Sequence, residues 1–209
     1  MFTGIIVEVG EVARLERRGA GARLRVKASK VSLGVGDSVA VEGVCLTATS
    51  VGDGYFEADV SAETVAATTL GSVRPGEAVN LELPTPAGAP LGGHFVQGHV
   101  DGVGTVKELR RSGEGYALRV AVPPGIGRYV VEKGSVAVAG ISLTATDVSD
   151  DEFGAAVIPH TYENTTLKHR RPGSRVNVEV DVIAKYVERL AARGGGLTAE
   201  RLAELGYGD

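Results

Sequence analysis

The sequence predicts an all-β fold of two tandem antiparallel barrels followed by a C-terminal helix, and two observations predict it. The first is an internal repeat: Gly43-Val44-Cys45-Leu46-Thr47-Ala48-Thr49 returns as Gly140-Ile141-Ser142-Leu143-Thr144-Ala145-Thr146. The same offset of 97 (142 − 45) aligns Val39-Ala40-Val41 with Val136-Ala137-Val138 and Thr68-Thr69-Leu70 with Thr165-Thr166-Leu167. It also aligns Pro75-Gly76 with Pro172-Gly173 and Val79-Asn80 with Val176-Asn177. Matches in one register across half of the 209 residues mark a duplication. The second observation is a series of short, Val-rich, alternating stretches spaced about 8 to 15 residues apart by glycine turns, the pattern of a small closed barrel.

The elements follow in order. Residues 5–15 alternate apolar and polar residues as a half-buried first strand, and Gly19-Ala20-Gly21 turns the chain into a second strand, Leu24 to Ala28. Gly34-Val35-Gly36-Asp37 is a turn before the strand Ser38 to Val41, which Gly43 breaks just ahead of the repeated stretch. Gly52-Asp53-Gly54 reverses the chain into Tyr55 to Val60, Ala62 to Thr69 makes one or two helical turns, and Pro75-Gly76-Glu77 precedes a last strand, Ala78 to Leu83. The second half replays this order. Its early part runs at an offset of 94, matching Leu118-Arg119-Val120 to Leu24-Arg25-Val26 (118 − 24), so three residues are gained between Pro123 and Lys133. The proline-rich Pro84 to Pro90 joins the halves, which gives domains at 1–90 and 91–181. In residues 182–193, Ile183, Tyr186, Val187 and Leu190 share one helical face, suited either to oligomerisation or to packing on the helix's own barrel. Gly194-Gly195-Gly196 opens a tail, 194–209, in which Leu197 to Gly206 read as a short helix capped by Thr198, with no assigned function.

Composition removes several classes. A 43% hydrophobic chain with 5% aromatics and no Trp builds aliphatic cores. A net charge of −4, with basic residues scattered apart from Lys168-His169-Arg170-Arg171, offers no footprint for nucleic acid. Cys45 is the only cysteine, so no intrachain disulfide forms, and a lone thiol behind an N-terminus without a secretory pattern leads us to expect a cytoplasmic protein. No apolar run reaches membrane-spanning length. There is no phosphate-binding glycine loop, no dinucleotide fingerprint and no metal spacing of Cys and His; His94 and His99, five apart, do not share one side of a strand. No metal and no cofactor are expected.

Two positions draw attention from the repeat itself. Cys45 taken alone reads as a small buried filler, but its repeat partner is Ser142, and each is followed by Leu-Thr, which suggests paired pockets contacting a ligand similarly. Thr47 and Thr144 beside their glycine turns would by themselves read as local backbone partners. Asp59, Glu63 and Thr64 correspond to Ala156, His160 and Thr161, so the copies have diverged in charge, as an enzyme handling two copies of one molecule differently would need.

Met1-Phe2-Thr3-Gly4-Ile5, Gly-Val-Cys-Leu-Thr at 43–47, Gly-Gly-His-Phe-Val-Gln-Gly-His-Val-Asp at 92–101, Gly-Ile-Ser-Leu-Thr at 140–144 and Val-Asn-Val-Glu-Val-Asp at 176–181 closely resemble the riboflavin synthase alpha-chain family, built from lumazine-binding repeats. The resemblance covers residues 1 to about 192. It implies two six-stranded Greek-key barrels and a C-terminal helix that assembles a homotrimer. It implies dismutation of two molecules of 6,7-dimethyl-8-ribityllumazine to riboflavin and 5-amino-6-ribitylamino-uracil, by four-carbon transfer between the first barrel of one subunit and the second barrel of the next. Association with lumazine synthase is a further partner it raises. The alternative it leaves is a relative that binds a lumazine or flavin without turnover.

Carried over by position, the resemblance places Gly4, Ile5, Ile6, Cys45, Leu46, Thr47, Asp59, Val60, Ser61, Ala62, Glu63 and Thr64 in a first-barrel pocket. It places Gly98, His99, Val100, Lys133, Ser142, Leu143, Thr144, Ala156, Val157, Ile158, Pro159, His160 and Thr161 in a second-barrel pocket. His99 is suited to proton traffic near neutrality, Ser142 or Cys45 to hydrogen bonding or addition to a ring carbon, and Phe2, Ser38, Thr144 and Asp181 match further site positions. The chain departs from the family pattern at Ala139, where Asp usually precedes the glycine, at Glu42, where Asn does, and at His160. Loss of the acid at Ala139 is expected to bear on proton transfer near Ser142.

Overall fold

The computed structural model describes residues 1–193; the tail 194–209 and the helix expected there lie outside the described residues. Twelve strands form two closed barrels. The first comprises β1 (Glu8–Arg18), β2 (Gly21–Lys27), β3 (Ser38–Val41), β4 (Val44–Gly52), β5 (Tyr55–Val60) and β6 (Ala78–Glu82), in the closed order β1-β2-β5-β4-β3-β6. The second comprises β7 (Gly102–Ser112), β8 (Gly115–Ala121), β9 (Ser135–Val138), β10 (Ile141–Thr146), β11 (Glu152–Val157) and β12 (Arg175–Val180) and closes in the equivalent order. All the neighbours are antiparallel, and in each barrel the β3–β4 or β9–β10 hairpin lies beyond the β2–β5 or β8–β11 pair, a Greek-key path. Short helices α1 (Ala62–Ala67) and α2 (Pro159–Glu163) follow β5 and β11, and α3 (Val182–Arg193) follows β12. No described helix is long and apolar enough to cross a membrane.

The alternation read from sequence fills the barrels. In β2, Ala22, Leu24 and Val26 are buried while their neighbours are not, and they join Val12, Val39, Val41, Phe56, Val79 and Leu81 in one aliphatic core. Val106, Leu118, Val120, Val136, Val138, Phe153, Val176 and Val178 form its counterpart. Both barrels carry the same irregularity, between Val12 and Arg14 in β1 and between Val106 and Glu108 in β7, where a bulge bends the long strand around the closure. The three extra residues fall where the change of offset places them, between β8 and β9, around a single turn at Gly127–Tyr129.

The first strand starts later than the sequence pattern suggests. It begins at Glu8, because residues 2–6 leave the first barrel and cross to the second. Phe2 and Val96 pair as an isolated antiparallel bridge, with Phe2 N–H donating to Val96 O at 2.7 Å and Val96 N–H to Phe2 O at 3.1 Å. Two arms therefore pass each other along the seam. Beyond them, Ile6 packs on the core of the second barrel and Val100 on that of the first.

A second contact closes the seam. Glu42-Gly43 and Ala139-Gly140 are the two-residue turns of the β3–β4 and β9–β10 hairpins, with φ of 50° and 77° in one and 51° and 78° in the other. Two successive positive φ angles are the signature of the tight hairpin turn that prefers Asn-Gly or Asp-Gly. The turns meet back to back, so a Cβ on Gly43 would lie 2.6 Å from Gly140 N. Asn80 Nδ2 donates to Ala139 O and Asn177 Nδ2 to Glu42 O, both at 2.9 Å, while Thr166 N–H and Thr69 N–H donate to the two asparagine carbonyls. Glu42, 1% exposed, accepts from Asn80 N, Thr166 Oγ1 and, at 2.5 Å, Arg170. Two of the three residues that depart from the family pattern, Glu42 and Ala139, are thus αL turn residues in the seam, whereas His160 lies exposed on α2. The expected bearing of Ala139 on proton transfer gives way to a conformational reading: Asn and Asp suit this backbone, and Ala139, with 0% exposure, takes it without a side-chain contribution to a site.

Candidate active site

The site strands are built by an interrupted ladder. Between β4 and β5 pairing runs from Gly52↔Tyr55 to Ala48↔Ala58 and stops; between β10 and β11 it stops at Ala145↔Ala155. Past these points Cys45, Leu46 and Thr47 form one lip and Asp59, Val60 and Ser61 the other, with Ser142 to Thr144 and Ala156 to Ile158 in the same relation in the second barrel. Splayed strands leave main-chain donors and acceptors free for a ligand with amide-like edges.

The crossed arms plug the inner end of each gap. Cys45 N–H donates to Gly98 O and Ser142 N–H to Gly4 O, both at 2.9 Å. A Cβ on Gly98 would lie 2.5 Å from that of Cys45, and one on Gly4 2.6 Å from that of Ser142, so glycine at φ 79° is required on both arms. This corrects the allocation made by position. Gly4, Ile5 and Ile6 belong beside Ser142, and Gly98, His99 and Val100 beside Cys45, because each repeat lends its arm to the other.

Side chains on the lips alternate. Leu46, Val60, Leu143 and Val157 point into the cores; Thr47, Asp59, Thr144, Ala156 and Ile158 are exposed, with Cys45 and Ser142 half-buried. Ser38 pairs across from Thr47, and Ser135 occupies the same register opposite Thr144. Asp59 is tied bidentately to Arg23 on β2, at 2.7 and 2.9 Å, which holds its carboxyl below the ordinary range. Ser61 caps α1 through Thr64 N–H, with exposed Ala62 and Glu63 between them, whereas Pro159 opens α2 with exposed His160 beside it and Thr161 in the next turn position. Lys133 is exposed at φ 63° and stands where the first repeat has Gly36, at φ 96°; their N–H groups donate to Ala145 O and Ala48 O at 2.8 Å. A lysine in a backbone state suited to glycine marks a constrained position at this lip.

The two pockets differ in one polar pair that positional reasoning missed. His94 Nδ1 lies 2.7 Å from Ser142 Oγ, and the histidine is 7% exposed. Its N–H donates to Thr3 O at 3.1 Å, and Gly93 permits this approach, since a Cβ there would sit 2.0 Å from Thr3 O. Burial pushes the imidazole below its ordinary 6.5, with the Asp181 carboxylate acting in the opposite sense, and Nε2 is buried without a partner. A neutral, desolvated imidazole against a hydroxyl is equipped to take or return a proton there. Among the described residues Cys45, the repeat partner of Ser142, has no such histidine against it. The Cys–Ser difference between the repeats was the signal the sequence offered. His99, favoured from sequence, is exposed on the arm beside Cys45.

Phe2 and Asp181 act from behind. Phe2 is 0% exposed, packed with Ala40, Val96 and Ala137 under the Cys45 side chain, so its ring supports the seam. Asp181 Oδ1 accepts from Ile183 N–H at 2.9 Å and thereby starts α3. That helix is held to the second barrel by Lys185–Asp101 at 2.6 Å and Arg128–Glu188 at 3.2 Å, while Ile183, Tyr186, Val187 and Leu190 remain 52–69% exposed. Within the single chain these four side chains are left largely uncovered by the helix's own barrel.

A duplicated barrel with two splayed, arm-plugged gaps has clear relatives. The chain belongs to the lumazine binding domain family, whose model matches it twice, over residues 3–84 and 97–181. It is 48% identical over 201 residues to the riboflavin synthase of Mycobacterium tuberculosis, an alignment covering 93% of this chain and 100% of that one. It is 42% identical over 191 residues to the riboflavin synthase of Actinobacillus pleuropneumoniae, covering 90% and 89%. Among solved structures, LumP complexed with riboflavin superposes with a TM-score of 0.80 at 23% identity, over 86% of this chain and 99% of that one, a likeness of fold.

Proposed function

We propose that the chain is a riboflavin synthase, a transferase that dismutates two molecules of 6,7-dimethyl-8-ribityllumazine into riboflavin and 5-amino-6-ribitylamino-uracil. The observation that carries this reading is the pairing of like pockets with unlike chemistry: Ser142 is bonded to buried His94, and Cys45 is not. Two identical molecules must be treated differently if one is to give up four carbons and the other to accept them. Free main-chain groups on the lips suit the amide-like edge of each ring. Proton removal from the ring methyl falls to a group at the second-barrel pocket, where the His94–Ser142 pair is held, and positioning both rings supplies much of the rate.

On this reading, as the family resemblance implies, a reacting pair forms between the first barrel of one subunit and the second barrel of another. The exposed stripe on α3 supports a homotrimer assembled by that helix. A cytoplasmic location and lumazine synthase as a partner belong to the same reading. Purified protein incubated with the lumazine alone is expected to generate riboflavin, followed by its absorbance. Stoichiometric binding with no riboflavin at micromolar enzyme would refute the enzyme and leave a binding protein.

A further inference from the structure

Each barrel buries one carboxylate that meets no cation. Glu82, at the end of β6, and Glu179, in β12, are each 3% exposed, and neither takes part in a salt bridge among the described residues. Their partners are the arms. Glu82 accepts from Thr3 N at 2.6 Å, Thr3 Oγ1 at 2.9 Å and Gly4 N at 3.0 Å. Glu179 accepts from Gln97 N at 2.6 Å and Gly98 N at 2.9 Å. Successive N–H groups converging beside a left-handed glycine make a small anion nest, and Gly4 and Gly98 both have φ 79°.

We infer that Glu82 and Glu179 are positioning residues of the two ligand pockets and that their wiring is crossed: Glu82 of the first barrel sets the arm that completes the second barrel's pocket, and Glu179 of the second barrel sets the arm that completes the first's. Gly4 O receives Ser142 N–H and Gly98 O receives Cys45 N–H, so each acid is one residue away from a lip of the opposite barrel. The carboxylate is needed as such. It offers two acceptor oxygens and no donor, whereas an amide of the same size must turn its NH2 towards an arm N–H. Burial raises both carboxyls above the ordinary range, and the arm N–H groups act in the opposite sense, favouring the charged form.

This deepens the proposed function and rests on the gaps being ligand sites. Its test uses the full chain with Glu82→Gln and Glu179→Gln, read through amide resonances in a deuterated sample, first without ligand and then with riboflavin as the probe. In Glu179→Gln the Cys45 amide is expected to lose at least tenfold in exchange protection while Ser142 keeps its own. Riboflavin affinity reported at Thr47 should fall at least tenfold while that at Thr144 stays within twofold, and Glu82→Gln should give the mirror result. The retained pocket is the control for folding. Loss in the acid's own barrel, equal loss in both pockets, or unchanged protection of Cys45 and Ser142 overturns the crossed wiring. Absence of any riboflavin response in the unsubstituted protein instead overturns the ligand sites themselves, and the exchange data without ligand still decide the arms.

Discussion

His94 and Ser142 meet through a 2.7 Å contact between Nδ1 and Oγ, although 48 positions separate them. A pair that acts as a unit is non-additive in its loss. Ser142→Ala and His94→Asn are each expected to lower kcat by at least tenfold with KM changed less, and the double variant should be no worse than the poorer single. Steady-state riboflavin formation checks this, and multiplicative losses would show that the two side chains act separately.

The same pair sets a pH dependence. His94 is held below 6.5 in the folded chain, so between 6.5 and its folded value the unfolded chain binds the extra proton. Its contribution is therefore complete above 6.5 and is lost as pH falls through that window. Urea midpoints at pH 7.5 and 5.5 should drop more for the unsubstituted chain than for His94→Asn. An equal drop would place the titration elsewhere.

Arg170 faces Glu42 with 20% of its side chain exposed, against 1% for the acid. Arg170→Met leaves a buried carboxylate unpaired and should cost about 3 kcal/mol at pH 7, most of it recovered by adding Glu42→Gln. Burial already raises the Glu42 carboxyl, and without Arg170 it rises further. The loss should therefore deepen as pH rises through the folded value and shrink as pH falls towards 4.5, as denaturation of the single and double variants will test.

Gly140 has φ 78° and lies against Gly43, where a Cβ would meet backbone N at 2.8 Å. Gly140→Ala should destabilise by about 2 kcal/mol or more, through the turn and the seam together, measured by urea unfolding. A change under about 0.5 kcal/mol would mean that the turns can separate without cost.

Deleting Ile183 to Leu190 removes the exposed stripe of α3 while leaving every barrel strand in place. Sedimentation should then show monomers that still bind riboflavin and turn over poorly. A truncated chain that remains trimeric would move the assembly contact off the helix.

The barrels were readable because duplication and alternation are properties of neighbouring residues. Val39 to Val41 and Val136 to Val138 announce matching strands, and Ala22, Leu24 and Val26 announce which side is buried. The arms were not readable, because Gly4 and Gly98 look alike whichever barrel they touch, and only tertiary contact with Ser142 and Cys45 separates the choices. His94 stayed hidden for a related reason. Its role depends on Gly93 lying against Thr3 O, which no local pattern encodes. Ala139 looked like lost catalytic chemistry, and Glu42 like an unexplained departure, until their positive φ angles identified both as turn residues.

The passing arms also say something about how the two halves depend on one another. Each repeat closes its own barrel but lends away the segment that seals its sibling's cleft, an exchange that is symmetric about the Phe2–Val96 bridge. In connectivity the chain is a dimer of single repeats tied head to tail, with residues 83–90 as the tether. A chain cut at that tether would keep each acid with its own arm and yet leave both arms without a lip to seal, Gly4 parted from Ser142 and Gly98 from Cys45, unless the halves found one another again.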